Sequence, residues 1–192
     1  MGRASRIDGL KLHFAVLRCQ AGDERAFVEL FEAFGQETLR YLRALVGEAA
    51  ADVHQDLWIA VYRGLKSLAD PRAFRTWLFR AARHRAVDHL RCQRRESELM
   101  AEMARESAHR VGDEGEASSD WRAIDLDAVL GDLTPAQREV LLLRYREDLS
   151  YSECALVVGC SVGTIRSRLH YAKSSAQLII ARRMALQQNE GL

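Results

Sequence analysis

With 192 residues, a formal net charge of +1 and only two prolines, the chain has room for one large or two small domains, and its wealth of Ala, Leu, Arg and Glu points to helices throughout. No apolar run reaches the length of a membrane span and no signal peptide opens the sequence, so a cytoplasmic protein without membrane insertion is expected. Cys19, Cys92, Cys154 and Cys160 lack CxxC or zinc-finger spacing, the six histidines are scattered, and no phosphate-binding glycine loop or nucleophile–base constellation occurs; neither catalysis, metal nor cofactor is expected, and the cysteines read as reduced thiols.

In chain order, a short helix is expected through Leu12, Val16 and Leu17, ending near Gly22. A longer one follows Asp23, with Phe27, Leu30, Phe31, Phe34, Leu39, Leu42 and Leu45 as its apolar stripe and Gly47 as its end. A third covers about 49–68, with Val53, Leu57, Val61 and Leu65 at helical spacing. On it, Asp52, Gln55 and Asp56 fall at i, i+3 and i+4, on one face. Asp70-Pro71 then supplies a cap and a first-turn proline for a fourth helix.

The charge of the fourth helix is one-sided. Arg72, Arg75, Arg80, Arg83, Arg85, Arg91, Arg94 and Arg95 crowd a segment in which Asp88 is the sole carboxylate. At helical spacing, Phe74, Trp77, Leu78 and Ala81 form an apolar face, and Arg80, Arg83, Arg91 and Arg94 line another. A row of guanidiniums suits a phosphate backbone. Trp77 and Phe79 are candidates to stack on unpaired bases, although Phe74 and Trp77 read more simply as core.

From Glu96 to Asp132 the balance reverses to acidic. The first part of this stretch can prolong the fourth helix; the part near 111–120 reads as a flexible linker. Trp121, Ile124, Leu126, Val129 and Leu130 then reopen an apolar pattern.

The segment 133–173 carries the strongest punctuation. Thr134-Pro135-Ala136-Gln137 and Ser150-Tyr151-Ser152-Glu153 are both capping boxes, Gly159 ends a helix of about two turns, and Ser161 caps the next. Three short helices with a tight glycine turn before the last make a helix-turn-helix. On the last, Val162, Ile165, Leu169 and Ala172 should pack, while Gly163, Thr164, Ser167, His170 and Tyr171 face outward, with Arg166, Lys173 and Arg168 at the rims. Small polar residues let the backbone approach base edges, and the cations reach phosphate or guanine.

These motifs together resemble the bacterial extracytoplasmic-function (ECF) sigma factors, the minimal sigma-70-like proteins, over most of the chain. Asp52-Val53-His54-Gln55-Asp56 is similar to the family's D-x-x-Q-E/D motif. The run from Phe74 to Arg91, FRTWLFRAARHRAVDHLR, is similar to its FRxWLxRIARNxAIDxLR stretch. Gly159 to Leu169, GCSVGTIRSRL, is similar to its CPVGTVRSRL recognition helix. His54, His84, Cys154, Ser161 and Tyr171 depart from the residues usual at those places; Tyr171 with His170 leaves the duplex sequence read by this helix open.

The resemblance implies an all-α fold of two small helical domains: a sigma region 2 bundle over 8–95, a flexible acidic linker over 96–120, and a sigma region 4 helix-turn-helix over 121–183. It implies that Asp52, Gln55 and Asp56 bind the clamp helices of the β′ subunit of core RNA polymerase, with β also contacted. It further implies that Arg75, Trp77, Arg80, Arg83, Arg91 and Arg94 recognise and melt the −10 element of promoter DNA, and that Thr164, Arg166, Ser167, Arg168, His170, Tyr171 and Lys173 read the −35 element. An anti-sigma factor is an expected partner, and the free chain is expected to be a monomer. Two other readings use the same segments: a stand-alone helix-turn-helix repressor or activator, dimeric on a palindrome, and a sigma mimic that sequesters an anti-sigma factor.

Overall fold

The computed structural model describes residues 9–105 and 126–189. Among the described residues there is no strand; eight α-helices carry the fold. Residues 106–125, and with them most of the expected acidic linker, lie outside this description, whereas 96–105 form the end of the fourth helix.

The first block comprises α1 (Gly9–Gln20), α2 (Glu24–Val46), α3 (Ala50–Gly64) and α4 (Phe74–Arg105). Asp23 starts α2 by accepting hydrogen bonds from the backbone N–H groups of Arg25 and Ala26, 3.0 and 3.3 Å. Gln20 Nε2 donates to the carbonyls of Leu65 and Leu68, at 3.1 and 2.8 Å, and so ties α1 to the turn after α3. Asp70 caps a single 3₁₀ turn, Pro71–Ala73, from which α4 begins. Leu30, Phe34, Tyr41 and Leu42 of α2 meet Leu57, Trp58 and Val61 of α3 and Phe74, Leu78 and Phe79 of α4 in the core. Phe34 and Phe74 meet edge-to-face at 5.6 Å between ring centroids.

The second block comprises α5 (Leu126–Gly131), α6 (Pro135–Leu141), α7 (Tyr151–Val158) and α8 (Val162–Asn189). Both capping boxes form: Thr134 with Gln137, and Ser150 with Glu153, satisfy helix-start N–H groups reciprocally. Gly159 ends α7 in the left-handed conformation, φ 74°, which the absence of a Cβ makes inexpensive. Two features differ from the sequence expectation. The last helix is not short; it continues to Asn189. Between α6 and α7 the chain takes a π-turn, Leu142–Arg146, closed by the Glu147 N–H on the Leu142 carbonyl at 2.9 Å.

The two blocks share one continuous apolar core. α4 packs on α7 and α2 on α6, and Val140, Leu142, Leu143 and Leu149 join the same cluster as Tyr41 and Phe79.

Candidate nucleic-acid interface

α4 has a wide buried side. Phe74, Leu78, Phe79, Ala82 and Ala86 are fully enclosed, which fixes the direction of everything else on the helix. Phe79 lies edge-on to Tyr41 at 5.4 Å, so the structure removes it from the candidates for stacking on bases. Trp77 is half-buried; its indole lies across Gly64 at the end of α3, where an added Cβ would stand 3.2 Å from the ring. Arg80, Arg91 and Arg94 project to solvent, and Arg75 and Arg83 are half-buried. A groove of about 550 Å³ brings Trp77, Arg80, Arg83 and Arg91 together on one wall, with Leu156 and Gly159 of the second block on the other. Arg94 lies further along the helix, outside that groove. Asp88 sits 3.1 Å from His84 Nδ1 and 3.9 Å from Arg91, on the exposed side.

Arg75 and Arg83 meet carboxylates that sequence spacing does not reveal. Arg83 Nε donates to Glu139 Oε1 at 2.8 Å, and the Tyr41 hydroxyl donates to the same oxygen at 3.0 Å. Tyr41 is fully enclosed, and burial beside Glu139 holds its phenol well above the ordinary value. Thr76 Oγ1 donates to Glu153 Oε1 at 3.2 Å, the carboxylate whose other oxygen completes the α7 capping box. Arg75 Nη2 stands 3.5 Å from Glu147 and 3.6 Å from Glu37, one guanidinium between two acids. Glu147 is almost entirely enclosed, and burial, with Glu37 nearby, pushes its carboxyl up to about 7.

On α3, Asp52, Gln55 and Asp56 are all exposed on one face. Beside them an aromatic groove of about 640 Å³ is lined by Phe31, His54, Trp58, Ile59 and Tyr62. Trp58 Nε1 donates to His54 Nε2 at 2.9 Å, and Thr38 Oγ1 lies 3.0 Å from the same nitrogen. Burial lowers the pKa of His54, in keeping with a neutral ring that accepts from the indole.

α8 buries Ile165, Leu169 and Ala172 and turns Ser167, His170, Tyr171 and Lys173 outward; Arg166 is exposed, and Thr164 and Arg168 are half-buried. Ser161 Oγ accepts from the Thr164 N–H at 3.1 Å, the expected cap. A set of neighbours escaped the sequence reading. Arg144 lies over the rings of Tyr145 and Tyr151, at 5.7 and 5.6 Å; Arg166 lies 6.0 Å over Tyr151, and Lys173 Nζ lies 5.1 Å over Tyr145. A hydrogen bond with Tyr145 raises the pKa of Lys173. Two of the rim cations of α8, Arg166 and Lys173, are thus steadied by aromatic rings from the two preceding elements. Tyr151, at the start of a capped helix beside α8, was the available clue.

Among the described residues, no group of three or more His, Cys, Asp or Glu is arranged to hold a metal, and no helix is long and apolar enough to cross a membrane. Cys154 is buried, its thiol pushed up to about 11 by that burial, so it carries no reactive thiolate near neutral pH.

Comparison with known proteins identifies the family of both blocks. Residues 30–96 match the Sigma-70 region 2 family, and 123–175 match Sigma-70, region 4. The chain is 35% identical over 174 residues to the RNA polymerase sigma-H factor of Pseudomonas aeruginosa, covering 83% of this chain and 89% of that one. It is 31% identical over 160 residues to the ECF RNA polymerase sigma factor SigC of Mycobacterium tuberculosis, covering 83% and 85%. The chain belongs to the ECF group of sigma-70-like factors. This ECF sigma factor directs transcription initiation, as a DNA-binding initiation factor and not a classical enzyme. Among solved structures it resembles CnrH in complex with the cytosolic domain of CnrY, with a TM-score of 0.64 and 26% identity over 91% of this chain and 99% of that one.

Proposed function

We propose that this sigma factor binds core RNA polymerase through Asp52, Gln55 and Asp56, the carboxylates pairing with basic groups of the β′ clamp helices. The β subunit is contacted as well. Arg75, Trp77, Arg80, Arg83, Arg91 and Arg94 engage and melt the −10 element. Thr164, Arg166, Ser167, Arg168, His170, Tyr171 and Lys173 read the −35 element as duplex. The working units are residues 8–95 and 121–183, joined through 96–120. The factor acts in the cytoplasm as a monomer when free, with no chemistry of its own, and an anti-sigma factor holds it in reserve; CnrH, a structural relative, is bound to the cytosolic domain of CnrY.

The observation that carries the −10 assignment is the exposed guanidinium row of Arg80, Arg91 and Arg94 on one rigid helix, offset by Asp88 alone within that run. Backbone charge and unpaired bases are what such a row with an adjacent indole can hold. Arg80→Glu together with Arg91→Glu should abolish strand opening at a promoter, read by permanganate reactivity of thymines, with affinity for core polymerase unchanged. Equal loss of opening and of core binding would refute the assignment and make these arginines structural.

A further inference from the structure

We propose that Arg40, Arg43, Arg138 and Arg146, at the seam between α2 and the C-terminal block, form a binding site for a compact phosphate polyanion, of the class of pyrophosphate, tripolyphosphate or the phosphate chain of a nucleotide. The site stands apart from the promoter and polymerase assignments and shares no residue with them.

Arg40 and Arg43 lie at i and i+3 on α2, so their side chains share a face. Arg138 of α6 and Arg146 of the π-turn reach the same place from the other block, and the four line a pocket of about 320 Å³ together with Ala44 and Leu130. Among the described residues, no carboxylate lines it. The guanidinium of Arg138 donates to the carbonyls of Leu130, Gly131 and Leu133 and, across the seam, of Ala44, at 2.7–3.2 Å. Those acceptors are neutral, so its charge is left for the pocket. Arg40 is half-buried, and its Nε is enclosed with no hydrogen-bond partner among the described residues. An enclosed donor without an acceptor costs free energy that an anionic oxygen in the pocket removes. Arg43 is exposed, and its planar fork can close on a ligand from the solvent side.

The protein's own acids do not answer this charge. Glu147 lies within electrostatic reach of Arg40 and Arg146, but burial and Glu37 push its carboxyl up to about 7, and it also stands 3.5 Å from Arg75. Near neutral pH it therefore supplies only part of one negative charge against the guanidiniums of the pocket. Guanidinium forks match phosphate oxygens two at a time, and several converging cations favour a ligand that carries several negative charges over one that carries a single charge. The volume is at the small end for ligand sites, which suits a short phosphate chain and excludes a duplex. Both blocks contribute cations, so an occupant neutralises like charges that packing brings together and stabilises the folded chain by mass action.

The test is isothermal titration calorimetry of the full chain with inorganic tripolyphosphate at constant ionic strength, with orthophosphate for comparison and the melting temperature read alongside. One site per chain is expected, at least about tenfold tighter for tripolyphosphate than for orthophosphate, with a melting temperature that rises as the site fills. Arg43→Gln should weaken tripolyphosphate binding about tenfold, the factor of one charge-assisted hydrogen bond, and Arg146→Gln should do the same from the other block. Both side chains are exposed, so these variants read the site even where Arg40→Gln destabilises the fold. Arg91→Gln with Arg94→Gln, on α4, should leave the affinity unchanged. An affinity that survives Arg43→Gln and Arg146→Gln together, one that falls with the α4 pair instead, or one no tighter than for orthophosphate would overturn the proposal. A labelled single DNA strand of mixed sequence separates a free phosphate compound from a nucleic-acid backbone. Its affinity should not change in Arg43→Gln; a strand affinity that falls there, with no binding of tripolyphosphate, would make these arginines backbone contacts and overturn the site.

Discussion

Raising the pH should loosen the contact between the two blocks, with Glu147 setting the extent. In the closed molecule its carboxyl is pushed up to about 7, first by burial and then by Glu37 of α2. Arg75 of α4, Arg40 of α2 and Arg146 of the π-turn oppose that rise without cancelling it. Once the blocks part, the carboxyl returns to its ordinary value of 4.5. The closed form thus holds a proton that the open form has lost between those two values. The contribution of Glu147 to closure is complete below 4.5 and disappears as pH rises through about 7. Between about pH 6 and about pH 8 this linkage lowers the closed-to-open ratio by up to about tenfold. Small-angle scattering at the two pH values and constant salt reads it directly. The native chain should expand at the higher pH, and Glu147→Gln, a neutral isostere of the protonated acid, should stay compact at both. A native chain that contracts as pH rises, or a Gln variant with the native pH dependence, would refute the reasoning.

Asp56→Arg should weaken binding to core polymerase by at least tenfold and leave the melting temperature in place, because the side chain is exposed on α3; unchanged affinity in a pull-down titration would remove the clamp assignment. Ser167→Ala or His170→Ala should alter preference among −35 sequences, whereas Lys173→Ala should weaken all of them alike and reduce the salt slope by about one, as loss of a phosphate contact does. A uniform loss from the first two would mark them as backbone contacts. Phe74→Ala should cost about 3–5 kcal/mol of stability, the range for emptying a fully buried aromatic site; its ring is wholly enclosed against Phe34, and a melting temperature within a degree or two of native would show that the core is not as described.

What could be read from sequence was local. The capping boxes at Thr134 and Ser150 and the glycine stop at Gly159 depend on residues within four positions of one another, and all three form as expected. The shared face of Asp52, Gln55 and Asp56 follows from helical spacing alone. The periodicity of α4 marks one buried stripe and leaves Phe79 outside it, yet Phe79 is fully buried. The second side of the helix is covered too, by Tyr41 of α2, which no periodicity within α4 encodes. α8 continues beyond Ala172 on the same stripe, with Ala176 and Ile179 packed against the core and Leu178 and Met184 exposed, so the stripe extends further than the recognition segment alone requires. The carboxylates on the arginine helix were invisible for the same reason: Glu139 is 56 residues from Arg83 and 98 from Tyr41. The π-turn that carries Glu147 inward has no sequence signature; packing of Leu142 and Leu143 into the common core is what holds it.

The most direct test of the account is transcription in vitro from DNA upstream of the factor's own gene, with bacterial core polymerase and the purified chain. The account predicts discrete start sites that depend on the chain, preceded by a common pair of −10 and −35 sequences, and lost with Arg80→Glu and Arg91→Glu while the core complex persists. Start sites that persist undiminished with both substitutions, or a chain that neither binds core polymerase nor produces starts, would contradict it.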